Sequence, residues 1–211
     1  MKRKKTTTLL APSSTKEKIL ESALRELMEK GIAGLTIQGV ATRTGISLGN
    51  LTYHFRTRDD LVAAMIDHWF EAWKREFFQI IYERLSHTQP NFGRFIDWVM
   101  DNALTPDNVR TFTELLAMGN HVPKVARMLD QLYAQAIDTV LKTLGLSPST
   151  KRASELRSLL YVLAAVSEGS TAILGNAPRN HPQRRLIKKR VRSLLEPVFE
   201  EAFGRAKVVR G

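Results

Sequence analysis

Between Ser47 and Arg58 the chain reads SLGNLTYHFRTR, side chains suited to gripping a nucleic acid rather than to making or breaking bonds. Asn50 can pair with adenine or hold backbone, and Leu48 can lie against a thymine methyl. Tyr53 and His54 offer flat, polar tips to phosphates, and Arg56 and Arg58 follow with guanidinium groups. Ser47, Gly49 and Thr52 are small enough to let a duplex come close. The outward positions carry almost no acid, so nothing there repels a phosphate.

Two short helices must hold these groups. Thr36 is placed to cap the first, in which Ile37, Val40 and Ala41 form one apolar face. Its hydroxyl and the free N–H groups of that helix start can also bind a phosphate. Gly45 supplies a left-handed stop, with Ile46 packed under the turn. Ser47 caps the second helix, whose Leu51 and Phe55, four residues apart, point inward. A small residue at 41, a glycine at 45 and an apolar residue at 51 suit two helices crossing steeply over a three-residue turn. An ordinary αα-corner inside a core satisfies the same spacing; the acid-free outer face and the two arginines favour a DNA-facing motif. Gly49 costs this helix about 1 kcal/mol relative to alanine, which close backbone approach to DNA would offset.

Residues 15–61 resemble the DNA-binding domain of the tetracycline-repressor (TetR) family of bacterial regulators. The resemblance is carried by Leu35–Thr36, the Ala41/Gly45 pair, GNLTYHF at Gly49–Phe55 and the following RTRDDL. It implies that Gln38 reaches a base edge, that Ser47, Leu48, Gly49, Asn50 and Thr52 face the major groove, and that Tyr53 and His54 hold phosphates. Arg58 stands where the family usually has a phosphate-binding lysine. Thr52 departs from the pattern, because an aromatic commonly stands there and threonine reaches less far.

The net charge of +11 is unevenly spread. Residues 1–58 hold 11 Lys/Arg against 4 Asp/Glu, residues 59–150 hold 8 against 12, and residues 151–211 hold 13 against 5. The first block fits a DNA-facing module, since phosphate neutralisation supplies much of such an affinity. The acidic middle does not. With no cysteine there is no disulfide or thiolate metal site, which suits a reducing cytoplasm. No apolar run approaches the ~18 residues that span a bilayer, so no membrane partner is expected. The stretch 1–12 reads as a disordered basic arm.

Helical punctuation runs throughout. Thr105-Pro106, Ser147-Pro148 and His181-Pro182 place proline at a first helical position, and Gly31, Gly45, Gly119, Gly145, Gly175 and Gly204 fall past helical patterns. The reading is an all-α protein of about nine helices, at 15–30, 37–44, 48–54, 58–84, 92–104, 106–118, 123–144, 148–174 and 182–203. A helix-turn-helix domain is expected over 13–58 and a larger effector-binding and dimerisation domain over 59–211. Pro197 should kink or break the last helix near Leu195.

In that larger domain, bulky groups at helical spacing serve a plain core or line a cavity. The resemblance implies an apolar effector pocket drawn from Trp69, Trp73, Phe77, Phe95, Trp98, Phe112, Met118, Met128 and Tyr133. His121 could anchor a ligand there, although its place beside Val122-Pro123 favours a capping or surface histidine. Stripes at Leu156, Leu160, Leu163, Ser167, Ser170 and Leu174, and at Ile187, Val191, Leu194 and Val198, suggest a four-helix dimer interface. The basic set Arg184, Arg185, Lys188, Lys189, Arg190 and Arg192 reads as a solvated face.

An enzyme is not indicated: there is no P-loop, dinucleotide fingerprint, zinc-spaced histidine pair or serine elbow, and the five histidines are scattered. No cofactor or metal is expected. The function implied is a cytoplasmic bacterial regulator, a repressor that binds double-stranded palindromic DNA as a homodimer and is released by a small, largely apolar effector. The alternative keeps the fold without the ligand, as an activator or an architectural or partner-controlled factor.

Overall fold

Most helices begin where a short polar side chain replaces a missing backbone acceptor. In the computed structural model, which describes residues 14–85 and 90–204, Ser14 accepts from the Glu17 N–H at 3.2 Å and opens α1 (Thr15–Gly34). Ile19, Leu20, Ala23, Leu24 and Leu27 form its buried stripe. The expected stop at Gly31 is there as a break: Gly31 sits at φ 68°, ψ 176°, and one more turn follows before the buried Leu35. Thr36 caps α2 (Ile37–Thr44), and Ser47 caps α3 (Leu48–His54), with the bounds read from the sequence. Thr57 and Asp60 cap each other's N–H groups at 3.1 and 3.2 Å and open α4 (Arg58–Leu85).

Then come α5 (Phe92–Ala103), α6 (Pro106–Gly119), α7 (Pro123–Thr143), α8 (Lys151–Leu174) and α9 (Pro182–Gly204). The protein is all-α: nine helices and no strand occur among the described residues. Pro106 and Pro182 hold first helical positions as expected. Pro148 does not. The Thr150 N–H instead donates to the Ser147 carbonyl at 3.2 Å, closing a turn, and the Thr150 hydroxyl becomes the cap of α8.

Pro197 also departs from expectation, since α9 runs through it to Gly204. Apolar burial beyond the proline offsets the lost hydrogen bond. Phe199 is 1% exposed and stacks on Phe92 of α5 at 5.3 Å, and Ala202 is buried a turn further on.

The chain divides into two compact units between Glu76 and Phe77, inside α4. In the first, α1 packs on α2 and α2 on α3, around Ile19, Leu27, Leu35, Val40, Leu51 and Leu61. In the second, α5, α8 and α9 pack together around Ile81, Phe92, Phe95, Ile96, Leu156, Leu160 and Phe199, with α6 and α7 against α8. The stretch 1–12, read as an arm, lies outside the described residues.

Candidate nucleic-acid interface

Leu51 and Phe55 are buried and anchor α3 from beneath, so the opposite face must point to solvent. Ser47, Gly49 and Asn50 are exposed, Leu48 is half-exposed, and Tyr53 is 84% exposed. A large aromatic ring in water is an unusual expense unless something covers it. Thr52 and His54 sit at the edge of this face, half-buried. The Thr52 hydroxyl donates back to the carbonyls of Leu48 and Gly49 at 3.0 and 3.1 Å. It is thereby held on its own helix, in keeping with its short reach.

The Ser47 hydroxyl accepts from the Asn50 N–H at 3.2 Å, and the Thr36 hydroxyl accepts from the Gly39 N–H at 3.0 Å. Both oxygens are engaged as caps, while Gln38 and Arg56 are exposed nearby in the sequence. Gly45, at φ 74° and ψ 32°, turns the chain between the two helices, and its N–H returns to the Ala41 carbonyl at 3.0 Å. A β-carbon would be strained there whatever the space.

Two features that hold the motif were not read from the sequence. Glu26, with a side chain only 3% exposed, bonds Arg43 Nε at 2.7 Å and Lys30 Nζ at 2.7 Å, and Arg43 also reaches Glu29. These cations hold the Glu26 carboxyl below the usual carboxylate range, through hydrogen bonds from Lys30 and then Arg43. Gly39 lets the acid approach, since a β-carbon there would lie 3.1 Å from Glu26 Oε2. The i,i+4 spacing of Glu26 and Lys30 was legible; the partner from α2 was not.

Arg58 is the second. Its Nε donates to the Leu35 carbonyl at 2.9 Å, and Nη2 donates to the Ile32 carbonyl. The guanidinium thus ties the end of α1 to the start of α4, and its Nη1 lies 4.0 Å from Asp59 Oδ1.

Of the residues expected to line a pocket, Trp69, Phe95, Phe112 and Met118 are buried, and Trp73, Phe77, Trp98, Met128 and Tyr133 are half-buried. Phe95 belongs to the packed core of the second unit, and Phe77 and Trp98 pair at 5.5 Å. His121 is exposed in the α6–α7 turn, where its N–H donates to the Met118 carbonyl. It is a surface histidine, not an anchor inside a cavity.

The expected dimer stripe on α8 is corrected. Leu156, Leu160, Leu163, Ser167, Ser170 and Leu174 are all buried by their own chain. Burial of two faces gives similar three-and-four spacings, so periodicity could not separate them. The outward residues of α8 are Tyr161, Val162, Ala165, Ala172 and Ile173, the last 78% exposed. On α9 the stripe splits: Val191 is buried and Ile187 packs on the core, whereas Leu194 is 68% and Val198 is 41% exposed.

The basic set on α9 is likewise only half a solvated face. Arg185, Lys189 and Arg190 are exposed. Lys188 bonds Asp101 at 2.8 Å and Arg192 bonds Asp97 at 2.8 Å, across to α5. Arg184 donates to four carbonyls, of Leu104, Leu174, Gly175 and Ala177, at 2.7 to 3.3 Å.

These geometries accompany clear likenesses to known proteins. Residues 19–65 match the family model for bacterial regulatory proteins of the tetR family. An uncharacterized HTH-type transcriptional regulator of Xanthobacter autotrophicus is 44% identical over 55 residues, covering 26% of this chain and 27% of that protein. The chain spans between 27% and 58% of the length of the curated relatives it matches. The whole-chain fold is similar to a transcriptional regulator of Rhodococcus sp. Rha1, at TM-score 0.65 and 17% identity, over 89% of this chain and 97% of the other. It is also similar to the multidrug binding protein EbrR complexed with imidazole, at TM-score 0.58 and 23% identity, over 85% and 96%. The helix-turn-helix at residues 19–65 thus matches the tetR family of bacterial regulatory proteins, and the helical architecture of the whole chain is similar to that of a solved transcriptional regulator.

Proposed function

We propose that this chain is a ligand-responsive, DNA-binding transcriptional repressor that grips a palindromic operator as a homodimer. The observation that carries the reading is the outer face of α3. Leu48, Gly49, Asn50 and Tyr53 project into water from a helix locked beneath by Leu51 and Phe55, with no acid among them. One such helix contacts too few base pairs to define a site, and two-fold pairing reads two half-sites about 34–36 Å apart. The pairing surface is the outward side of α8 and α9, with Tyr161, Val162, Ile173, Leu194 and Val198 at its centre. Exposed apolar groups gathered on two neighbouring helices mark an interface.

In this reading the second unit takes a small, largely apolar effector, bordered by some of Phe112, Met118, Met128 and Tyr133. The structural likeness to a multidrug binding protein supports it. The effector releases DNA by binding better to an arrangement whose recognition helices no longer fit successive grooves. Selection of bound duplexes from random pools tests the proposal. A palindromic consensus, bound at two chains per site and released by a small molecule, is the expected result. Binding as a monomer, or indifference to duplex DNA at low ionic strength, would overturn it.

A further inference from the structure

Glu168 lies in the last third of α8, next to Tyr133 of α7. Its Oε2 and the Tyr133 hydroxyl are both enclosed, and neither has a partner beyond the other. The polar groups nearest in sequence cannot help. Ser167 donates to the Ala164 carbonyl at 2.8 Å, Ser170 to Val166 at 2.8 Å, and Thr171 to Ser167 and Ala103 at 3.1 Å. Each hydroxyl has one proton, and each proton is spent on backbone. Among the described residues no lysine, arginine or histidine forms an ion pair with Glu168.

This contrasts with Glu26, a buried acid that has two cations. A carboxylate withdrawn from water without a partner is costly, and natural cores avoid it. Burial pushes the Glu168 carboxyl above the usual carboxylate range, only partly offset by Tyr133, and burial beside Glu168 raises the Tyr133 phenol well above its ordinary value. The arrangement is a carboxyl that lacks a counter-charge in the second unit, with an aromatic ring beside it to face a positive charge.

We infer that Glu168 and Tyr133 form the recognition site for a cationic group, so that the effector is an amine or quaternary ammonium compound with an apolar body. The inference rests on the reading that the second unit takes an effector, and it adds the charge of that molecule. An acid whose one partner is a phenol, with no counter-charge at this helix–helix contact, is met by an organic cation: the carboxylate gains a counter-charge, and the ring gains a cation against its face.

The probe pair is 3-hydroxyphenyl-trimethylammonium, whose charge is fixed at every pH, and its uncharged carbon isostere 3-tert-butylphenol. Titration calorimetry on the full chain should show the cation binding at least about tenfold tighter than the isostere. Glu168→Gln should abolish that preference while leaving the affinity for the isostere unchanged, and Tyr133→Phe should reduce it less. Equal affinities for the two compounds in the wild-type chain would overturn the inference. So would a preference that survives Glu168→Gln, or no binding of the cation at millimolar concentration. Duplex DNA binding, measured on the same preparations, reports separately on the regulator reading: intact DNA binding without any charge preference sinks the cation site alone.

Discussion

The carboxyls of the buried Glu26 and the half-buried Glu168 are shifted in opposite directions, and each shift becomes a dependence of stability on pH. Glu26 is held low by Lys30 and Arg43. Its contribution is therefore present above the ordinary carboxylate value of 4.5 and is lost as pH falls through its lower folded value. Glu168 is held high by burial. Below 4.5 it is neutral in both the folded and unfolded chain and costs nothing. As pH rises through that value towards its folded one, the unfolded state loses its proton first and stability declines. Melting temperatures measured from pH 3 to 8 should separate them. Glu26→Gln should flatten the acid limb, whereas Glu168→Gln should melt above the wild-type chain at pH 7 and gain little at pH 4. The positive φ at Gly45 belongs to the same scale: Gly45→Ala should cost about 1–2 kcal/mol, read by urea unfolding.

Among the elements, α3 and the start of α4 do separable work. Tyr53 projects into water, so Tyr53→Ala should weaken binding to every duplex while leaving the melting temperature unchanged. Arg58 ties Ile32 and Leu35 to α4, so Arg58→Ala should do two things at once. It should lower the stability of the first unit by about 1.5–3 kcal/mol, and it should reduce the slope of log affinity against log salt by about 1. An unchanged slope in filter binding at several salt concentrations would make Arg58 purely structural. A similar division holds on α9. Arg184, Lys188 and Arg192 recur every four residues and bind inward to α5 and the α8 terminus, while Arg185, Lys189 and Arg190 remain on the solvent side. A basic run in sequence is thus two faces in space.

For the whole molecule, the proposed function requires two copies of α3 per operator. Ile173 and Leu194 are the most exposed large aliphatic residues on α8 and α9. A buried glutamate at either position would be repelled by its own symmetry mate, so Ile173→Glu with Leu194→Glu should weaken dimerisation by about a hundredfold or more. Sedimentation should then show monomers, with specific DNA binding lost and the fold retained. Leu160→Glu would instead unfold the second unit, because that side chain lies in its core.

Much of this was legible one residue at a time. Caps, proline starts and a left-handed glycine act within a few residues, so the helices and the whole helix-turn-helix could be drawn from the sequence with their solvent face. Other features depended on residues far apart in the chain. Whether Leu160 or Ile173 faces outward is set by which neighbouring helices cover α8, and a helix packed on more than one side shows apolar residues at spacings that fit several stripes. The Glu26–Arg43 bond and the pairing of Tyr133 with Glu168 arise only when separate helices meet. Short-range hydrogen bonding is written in local order. Burial, and with it the electrostatic fate of an acid, is decided by packing.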